Sequence, residues 1–441
     1  MIDQIELSES ERAFSNTQEF QDIKTATYEH LLTRIEELGS EFGRWSRNTV
    51  HQFVNLEVDG FVRINRIPLN EQEVRQISSA LTNELAGMGP LEDLLADAAV
   101  EDILINGYND VFVSRHGMLQ RENLRFTDNA HLLRIVQRIL AQIGRRLDES
   151  NPMVDARLPD GGRMNVVISP LAVDGPMVSI RKFRVEPLKP EDLLNLGTMN
   201  QEIYTLLDNA VKARCNILIS GGTSSGKTSL LNALAFFVPN SERVVTVEDT
   251  AELSLNHPHV VRLESRIGGF DGAGAVSIRD LIRNSLRMRP DRIVVGEVRG
   301  AEVLEMLQAM NTGHDGSMAT IHANSPRECL HRIEMLAGFA GFQGSENSLR
   351  NQIAGALDFV VQIARLANGR RRLVSITEVT GMGDNIITLQ ELYRYESYVG
   401  ADGEDVDRWV AMGIFPHSPK LQRLRQQQGV KNSASELVGR R

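Results

Sequence analysis

The residues with the most obvious chemical purpose form one stretch of eight, Gly221–Thr228, which reads GGTSSGKT. Glycines at 221 and 226 let backbone N–H groups converge on an anion with no Cβ in the way. Lys227 offers a cation to terminal phosphate oxygens, and Thr228 offers a hydroxyl to Mg²⁺. The apolar run NILIS enters the loop, and TSLLNALAFF leaves it as a predicted helix stopped by Pro239. The loop therefore opens a helix, where the backbone dipole favours negative charge. Gly221, Gly222, Thr223, Ser224, Ser225, Gly226, Lys227 and Thr228 are the expected ATP contacts.

Binding phosphate is not hydrolysis, which also needs an acid linked to the metal and a group that orients water. RIVVGEVRG closes an apolar run with Glu297, where a longer Glu in place of Asp suits a metal contact through water. RVVTVEDTAEL closes another with Glu248 and Asp249, followed by Glu252, and SMATIHANS carries a third run into His322, with His314 ahead of it. Taken singly, such acids serve equally as helix caps or surface ion pairs, and such a histidine as an ordinary hydrogen-bonded residue. They gain a common purpose only if the runs are parallel strands whose carboxyl ends meet at one edge with Lys227.

The elements that must position them follow from patterning. Beyond Met199, apolar strands alternate with helices, which implies a parallel α/β sheet. From Leu91 to about Glu186 short strands at 102–105, 111–114, 164–168 and 177–183 surround a helix carrying Leu132, Val136, Ile139 and Ile143, an α+β pattern. Helical spacing recurs at Tyr28–Phe42 and around Val74, Ile77, Leu81 and Leu85, ended by Gly87, Gly89 and Pro90. The expected divisions are a disordered lead (to about residue 20) with a helical module over 1–88, an α+β domain over 89–184, a linker over 185–198, an ATPase domain with a C-terminal subdomain over 199–430, and a frayed tail over 431–441.

Composition narrows the classes of partner. A net charge of −10 and 5% aromatic residues argue against a nucleic-acid partner. Two cysteines 114 residues apart, Cys215 and Cys329, exclude a tetracysteine zinc site and are expected buried and reduced. The first residues carry no signal-peptide pattern, and no stretch reaches the roughly 18 apolar residues of a membrane span.

These motifs together resemble the secretion-ATPase superfamily, which serves type II and type IV secretion, type IV pili and archaella. The resemblance rests on the Walker A loop, VEDTAEL, the GEVRG form of Walker B, TGHDGSMATIHANS, and upstream RLPDGGRMNVVISPL and SIRKF. VEDILINGYNDVFVSRHG, PMVDARLPDGGRMN and GDNIITLQELYRY are most similar to the Tad/Flp pilus-assembly ATPases. The resemblance implies a RecA-like P-loop domain preceded by a smaller α+β, PAS-like domain and a helical extension, in a homohexamer that binds ATP between the two domains. It assigns Glu297 as the Walker B acid, Glu248 as the water-orienting residue and His322 as the γ-phosphate-side histidine. It assigns Arg163 and Arg181, with Arg157 as a further candidate, as arginines reaching the phosphates. Arg279, Arg283, Arg287 and Arg289 form another basic run, readable as subunit contacts or as a solvated helix face. The expected setting is cytoplasmic, at the inner membrane through platform proteins, where ATP hydrolysis powers assembly of a Tad/type IVc pilus, with retraction as a further expected role. The alternatives are a type IV secretion traffic ATPase, a RecA-like nucleic-acid translocase, and a non-catalytic nucleotide-gated hub.

Overall fold

The computed structural model describes residues 17–38, 45–115, 117–182, 187–266, 274–399 and 405–427. The chain divides into two compact units, Met1–Phe183 and Arg184–Arg441. The expected frayed tail, and residues 1–16 of the expected lead, lie outside the described residues.

The first unit begins with helices α1 (Gln18–Leu38), α2 (Arg47–Ile64) and α3 (Glu71–Ala86). Helix α1 starts within the stretch expected as a disordered lead. Helix α2 falls where the sequence suggested no element. It buries Val50, Val54, Val58 and Val62, one valine per turn. Valine's stiff χ1 makes it an indifferent helix former, so the burial of this stripe against its neighbours, and not propensity, selects the helix. Helix α3 matches expectation and opens with a capping box between Asn70 and Glu73.

After a short helix α4 (Glu92–Ala96) come strands β1 (Val100–Asn106), β2 (Val111–Arg115) and β3 (Met118–Glu122), helix α5 (Asn129–Gln142), and strands β4 (Met153–Arg157), β5 (Arg163–Val167) and β6 (Met177–Arg181). They form one antiparallel sheet in the order β3-β2-β1-β6-β5-β4. Ile103, Ile105, Val113, Met164, Val166, Val178 and Ile180 pack with Leu132, Val136, Ile139 and Leu140 of α5, so one sheet face is core. The two strands absent from the sequence reading, β3 and β4, are the sheet's edges: β3 is almost wholly exposed, and β4 is a five-residue strand with two charged residues.

A buried carboxylate joins the helical module to this sheet domain. Glu84 of α3 pairs with Lys24 at 2.9 Å and with His131 of α5. Arg138 donates to the carbonyls of Glu84 and Leu85 at 3.0 and 3.2 Å. Burial alone would push the Glu84 carboxyl up, but the His131 hydrogen bond and the Lys24 charge outweigh it and hold it at about 2.

The second unit carries helix α6 (Pro190–Asn195), α7 (Gln201–Lys212), β7 (Ile217–Gly221), α8 (Lys227–Ala235), β8 (Val244–Glu248), β9 (Val260–Glu264), α9 (Ile278–Ser285) and β10 (Arg292–Val298). It continues with α10 (Val303–Asn311), β11 (Met318–Ile321), α11 (Pro326–Phe339), α12 (Glu346–Ala356), strands β12 (Phe359–Arg365), β13 (Arg371–Gly383), β14 (Ile386–Val399) and β15 (Asp405–Ala411), and α13 (Pro419–Gln427). Helix α6 occupies the stretch expected as a linker, and Leu193 is buried in the core of this unit.

The strands make one nine-stranded sheet, β15-β14-β13-β12-β7-β11-β10-β8-β9. Strands β12 to β9 in that order pair in parallel, while β13, β14 and β15 add antiparallel to β12. The expected parallel sheet is therefore the larger half of a mixed one. Helices α9–α12 contribute to the core on one side, and α6–α8 with α13 to that on the other. Burial on both faces explains why β7 and β8 are buried at every position and read as continuous apolar runs. Both cysteines are buried and free, and burial pushes each thiol up to about 12.

Candidate functional site

The phosphate loop runs from Gly221 at the end of β7 to Lys227 at the start of α8. A Cβ on Gly221 would stand 2.4 Å from the Ile363 carbonyl and 2.5 Å from Ser225 Oγ, so no other residue fits there. Gly226 is the N-cap of α8 at φ 99°, a left-handed conformation that disfavours side chains. Ser225 Oγ donates to the Gly222 carbonyl at 2.9 Å. Lys227 Nζ donates to the carbonyls of Gly221 and Gly222 at 3.1 and 2.9 Å, so the ammonium is folded back over the cradle. Thr223 and Ser224 are exposed, while Gly222, Lys227 and Thr228 are half-buried.

Strands β7, β11, β10 and β8 are successive parallel neighbours. The phosphate loop, His322, Glu297 and Glu248 therefore emerge along one carboxyl edge, in that lateral order. His314 sits at the opposite, amino end of β11. His322 is exposed and lines a shallow groove with Glu328, His331, Arg332 and Met335 of α11. Ser220 and Gln362 both donate to the Ala323 carbonyl, at 3.4 and 3.1 Å, and so tie the histidine loop to the phosphate-loop strand.

Glu248 is 3% exposed. Its Oε1 accepts the backbone N–H groups of Glu252 and Leu253 at 2.9 and 2.8 Å, while Oε2 is buried without a hydrogen-bond partner among the described residues. Desolvation raises its pKa to about 7 despite those two hydrogen bonds. Gly296 lies against it, since a Cβ there would come 2.8 Å from Glu248 Cγ. The glycine before Glu297 is thus explained by the side chain of another strand. Asp249 turns outward and accepts from Ser265 Oγ at 2.7 Å.

Between Val295 and Val298 the β10 ladder with β11 shifts register, an irregularity that re-aims the intervening side chains. Glu297 there accepts from Arg299 Nη2 at 2.5 Å and Nε at 2.9 Å. The pairing of Arg299, one residue past the end of β10, was not anticipated, and its only signal was its closeness to Glu297 in the sequence. Arg279 and Arg283 pair with the buried Glu305 of α10 at 2.8 and 2.7 Å, which accounts for half of the basic run within the unit. Arg287 and Arg289 are exposed.

In the first unit the ladder registers Asp102 with Arg181, Arg181 with Arg163, and Arg163 with Arg157. Directly opposed residues share a face at Cβ separations of about 4.5–5.5 Å, so three arginines form one cross-strand row ended by an aspartate. Arg181 Nε donates to Asp102 Oδ1 at 3.0 Å. Opposed like charges cost stability unless they are compensated, and the Asp102 carboxylate compensates Arg181 at one end of the row.

A glycine-lined loop between a parallel strand and a helix N-terminus, with acids on neighbouring strand ends, defines a P-loop nucleotide-binding protein. The chain belongs to the type II/IV secretion system protein family, which matches residues 84–398. It is 38% identical over 348 residues to a putative conjugal transfer protein of Mycobacterium tuberculosis, covering 74% of this chain and 98% of that one. It is 31% identical to the conjugal transfer protein TrbB of Rhizobium radiobacter, covering 68% of this chain and 88% of that one. Among solved structures, the VirB11 ATPase of the Brucella suis type IV secretion system aligns over 66% of this chain and 95% of its own, at 25% identity and a TM-score of 0.37. No described helix is long and apolar enough to cross a membrane.

Proposed function

We propose that this chain hydrolyses ATP to drive a secretion or pilus-assembly machine, with Gly221–Thr228 binding the phosphates. The observation that carries this reading is the convergence of the loop, His322, Glu297 and Glu248 on one edge of four adjacent parallel strands. A structural role for each acid alone would not call for that convergence.

The residues fit the substrate and its metal. Gly221 and Gly226 let the loop backbone pass where a side chain would clash with the protein itself, and the Lys227 ammonium already lies over the loop on the Gly221 and Gly222 carbonyls. Thr228 directly, and Glu297 through water, are the residues that would hold Mg²⁺, which neutralises phosphate charge when bound. Glu297 would exchange Arg299 for that duty. Glu248 has one oxygen pinned by backbone N–H groups and the other unsatisfied, a geometry for orienting water. His322 is assigned to the γ-phosphate side, and Arg157, Arg163 and Arg181 to neutralising charge that develops in transfer. Phosphate release by wild type beside Lys227→Ala and Glu297→Gln tests the reading, and turnover unaffected by either variant would sink it.

The finer reading is a homohexameric motor for a Tad/type IVc pilus, acting at the inner membrane through platform proteins. It is supported by the VEDILINGYNDVFVSRHG and GDNIITLQELYRY segments. A type IV secretion or DNA-transfer role is the second reading, favoured by relatives named as conjugal transfer proteins that align over nearly their whole lengths. Affinity capture of the full chain from its own cells separates the two. A pilus platform protein among the captured membrane proteins supports the first reading, and a transfer-channel component supports the second.

A further inference from the structure

One side chain touching the phosphate loop comes from the antiparallel half of the sheet, about 145 residues downstream, and belongs to none of the motifs. Arg371, the first residue of β13, donates from Nε to the Ser224 carbonyl at 3.3 Å. Its Cδ would lie 3.1 Å from a Cβ on Gly226. Arg371 therefore packs along the loop's backbone between its two left-handed residues, Ser224 at φ 55° and Gly226 at φ 99°. Serine reaches that region only against steric resistance, so a fixed partner on its carbonyl helps to decide whether the loop holds its shape.

The hairpin that carries Arg371 is itself built against the loop. Ile363 of β12 registers with Gly221, and its carbonyl takes the space a Cβ would need. The tip closes through Leu366 N–H to the Arg370 carbonyl at 2.8 Å, which sets the start of β13. Arg365 is the register partner of Arg371, so the flank of the loop is basic. The next residue, Arg372, points the other way, as strand alternation requires. It is buried and donates to the Leu196 carbonyl at 3.1 Å, while Leu373 N–H donates to the Thr198 carbonyl at 2.9 Å. The start of β13 is thereby stitched to the segment following α6.

We infer that Arg371 is a positioning residue for nucleotide binding. It holds the Ser224–Gly226 turn in its phosphate-accepting shape, and Arg372 anchors the strand end from which it reaches. This inference rests on the proposed phosphate-binding role of the loop. Because Arg371 acts on the loop and not on the reacting phosphate, ATP and ADP should feel its loss equally.

The test uses the full chain with Mg-ATP and Mg-ADP. Arg371→Ala should raise KM for ATP and Kd for ADP together by about fivefold to tenfold, with kcat changed less than about twofold. Arg371→Lys should recover most of that affinity, since an ammonium can still donate to the Ser224 carbonyl. Thermal melts of both variants should match wild type to within a few degrees. Wild-type affinity in Arg371→Ala overturns the inference. So does a fall in kcat at unchanged KM, which would mean contact with the reacting phosphate. A large drop in melting temperature without rescue by lysine overturns it too, by reducing Arg371 to strand packing. Lys227→Ala is run alongside. If that variant bound both nucleotides as tightly as wild type, the phosphate-loop reading would fall and this inference with it.

Discussion

The two units handle charge in opposite ways. In the second unit the candidate site groups stand at strand ends, and backbone atoms hold them: Glu248 by two N–H groups, Lys227 by two carbonyls. In the first unit the arginines stand on the face of a sheet, and the register of neighbouring strands aligns them. A group fixed by its own loop keeps its place as long as that loop folds. A group fixed by register depends on three strand pairings at once, and a one-residue slip would turn it to the opposite face. The first arrangement suits a preformed cradle, and the second lines up several long side chains along one sheet face.

The largest expected effect is at the backbone-held site. Lys227→Ala should lower turnover by about a hundredfold to a thousandfold, because it removes the cation proposed to meet the transferring phosphate. A steady-state phosphate-release assay measures this. Next is the register-held row, where Arg163→Ala with Arg181→Ala should cost about a hundredfold in kcat while leaving the thermal melt of the chain close to wild type. A collapse in melting temperature instead would mean that the row stabilises the sheet, and the contrast between the units would lose its functional half.

Glu248 sharpens the comparison through pH. Its folded pKa of about 7 lies above the ordinary 4.5, so between those values the folded state binds a proton that the unfolded chain has released. Stability must then fall as pH rises through that window, by on the order of 3 kcal/mol. Glu248→Gln should flatten the slope, as read from denaturant midpoints between pH 4.5 and about 7. Turnover should move the other way and rise as Glu248 ionises, if the carboxylate orients water. The smallest effect belongs to Asp102→Asn, which frees Arg181 from a half-exposed ion pair worth under about 1 kcal/mol. Its melting temperature should scarcely change, and any change in KM for ATP would show that the aspartate restrains the arginine.

Much of the ATPase unit was legible before any coordinates, since a phosphate loop and strand-end acids are contiguous in sequence and the strands that carry them are apolar throughout. The elements that escaped have physical reasons. Helix α2 is written in valines that packing alone makes helical, edge strand β3 is too exposed to show alternation, and β4 is only five residues with two of them charged. Helix α6 hid in a stretch whose prolines read as linker, although one of them, Pro190, begins the helix, where proline is tolerated.

The sequence alone identified the cradle at Gly221–Thr228, because its glycines, lysine and hydroxyls lie within one short stretch of chain. It also nominated Arg157, Arg163 and Arg181 separately. Only the tertiary structure decided that these three share one row, that Glu248 explains Gly296, that Arg299 occupies Glu297, and that Arg371 reaches the loop from β13. Each of these depends on which strands lie side by side and in what register. Strand order is set by the burial of whole sheet faces, a property of the assembled core that no local spacing encodes.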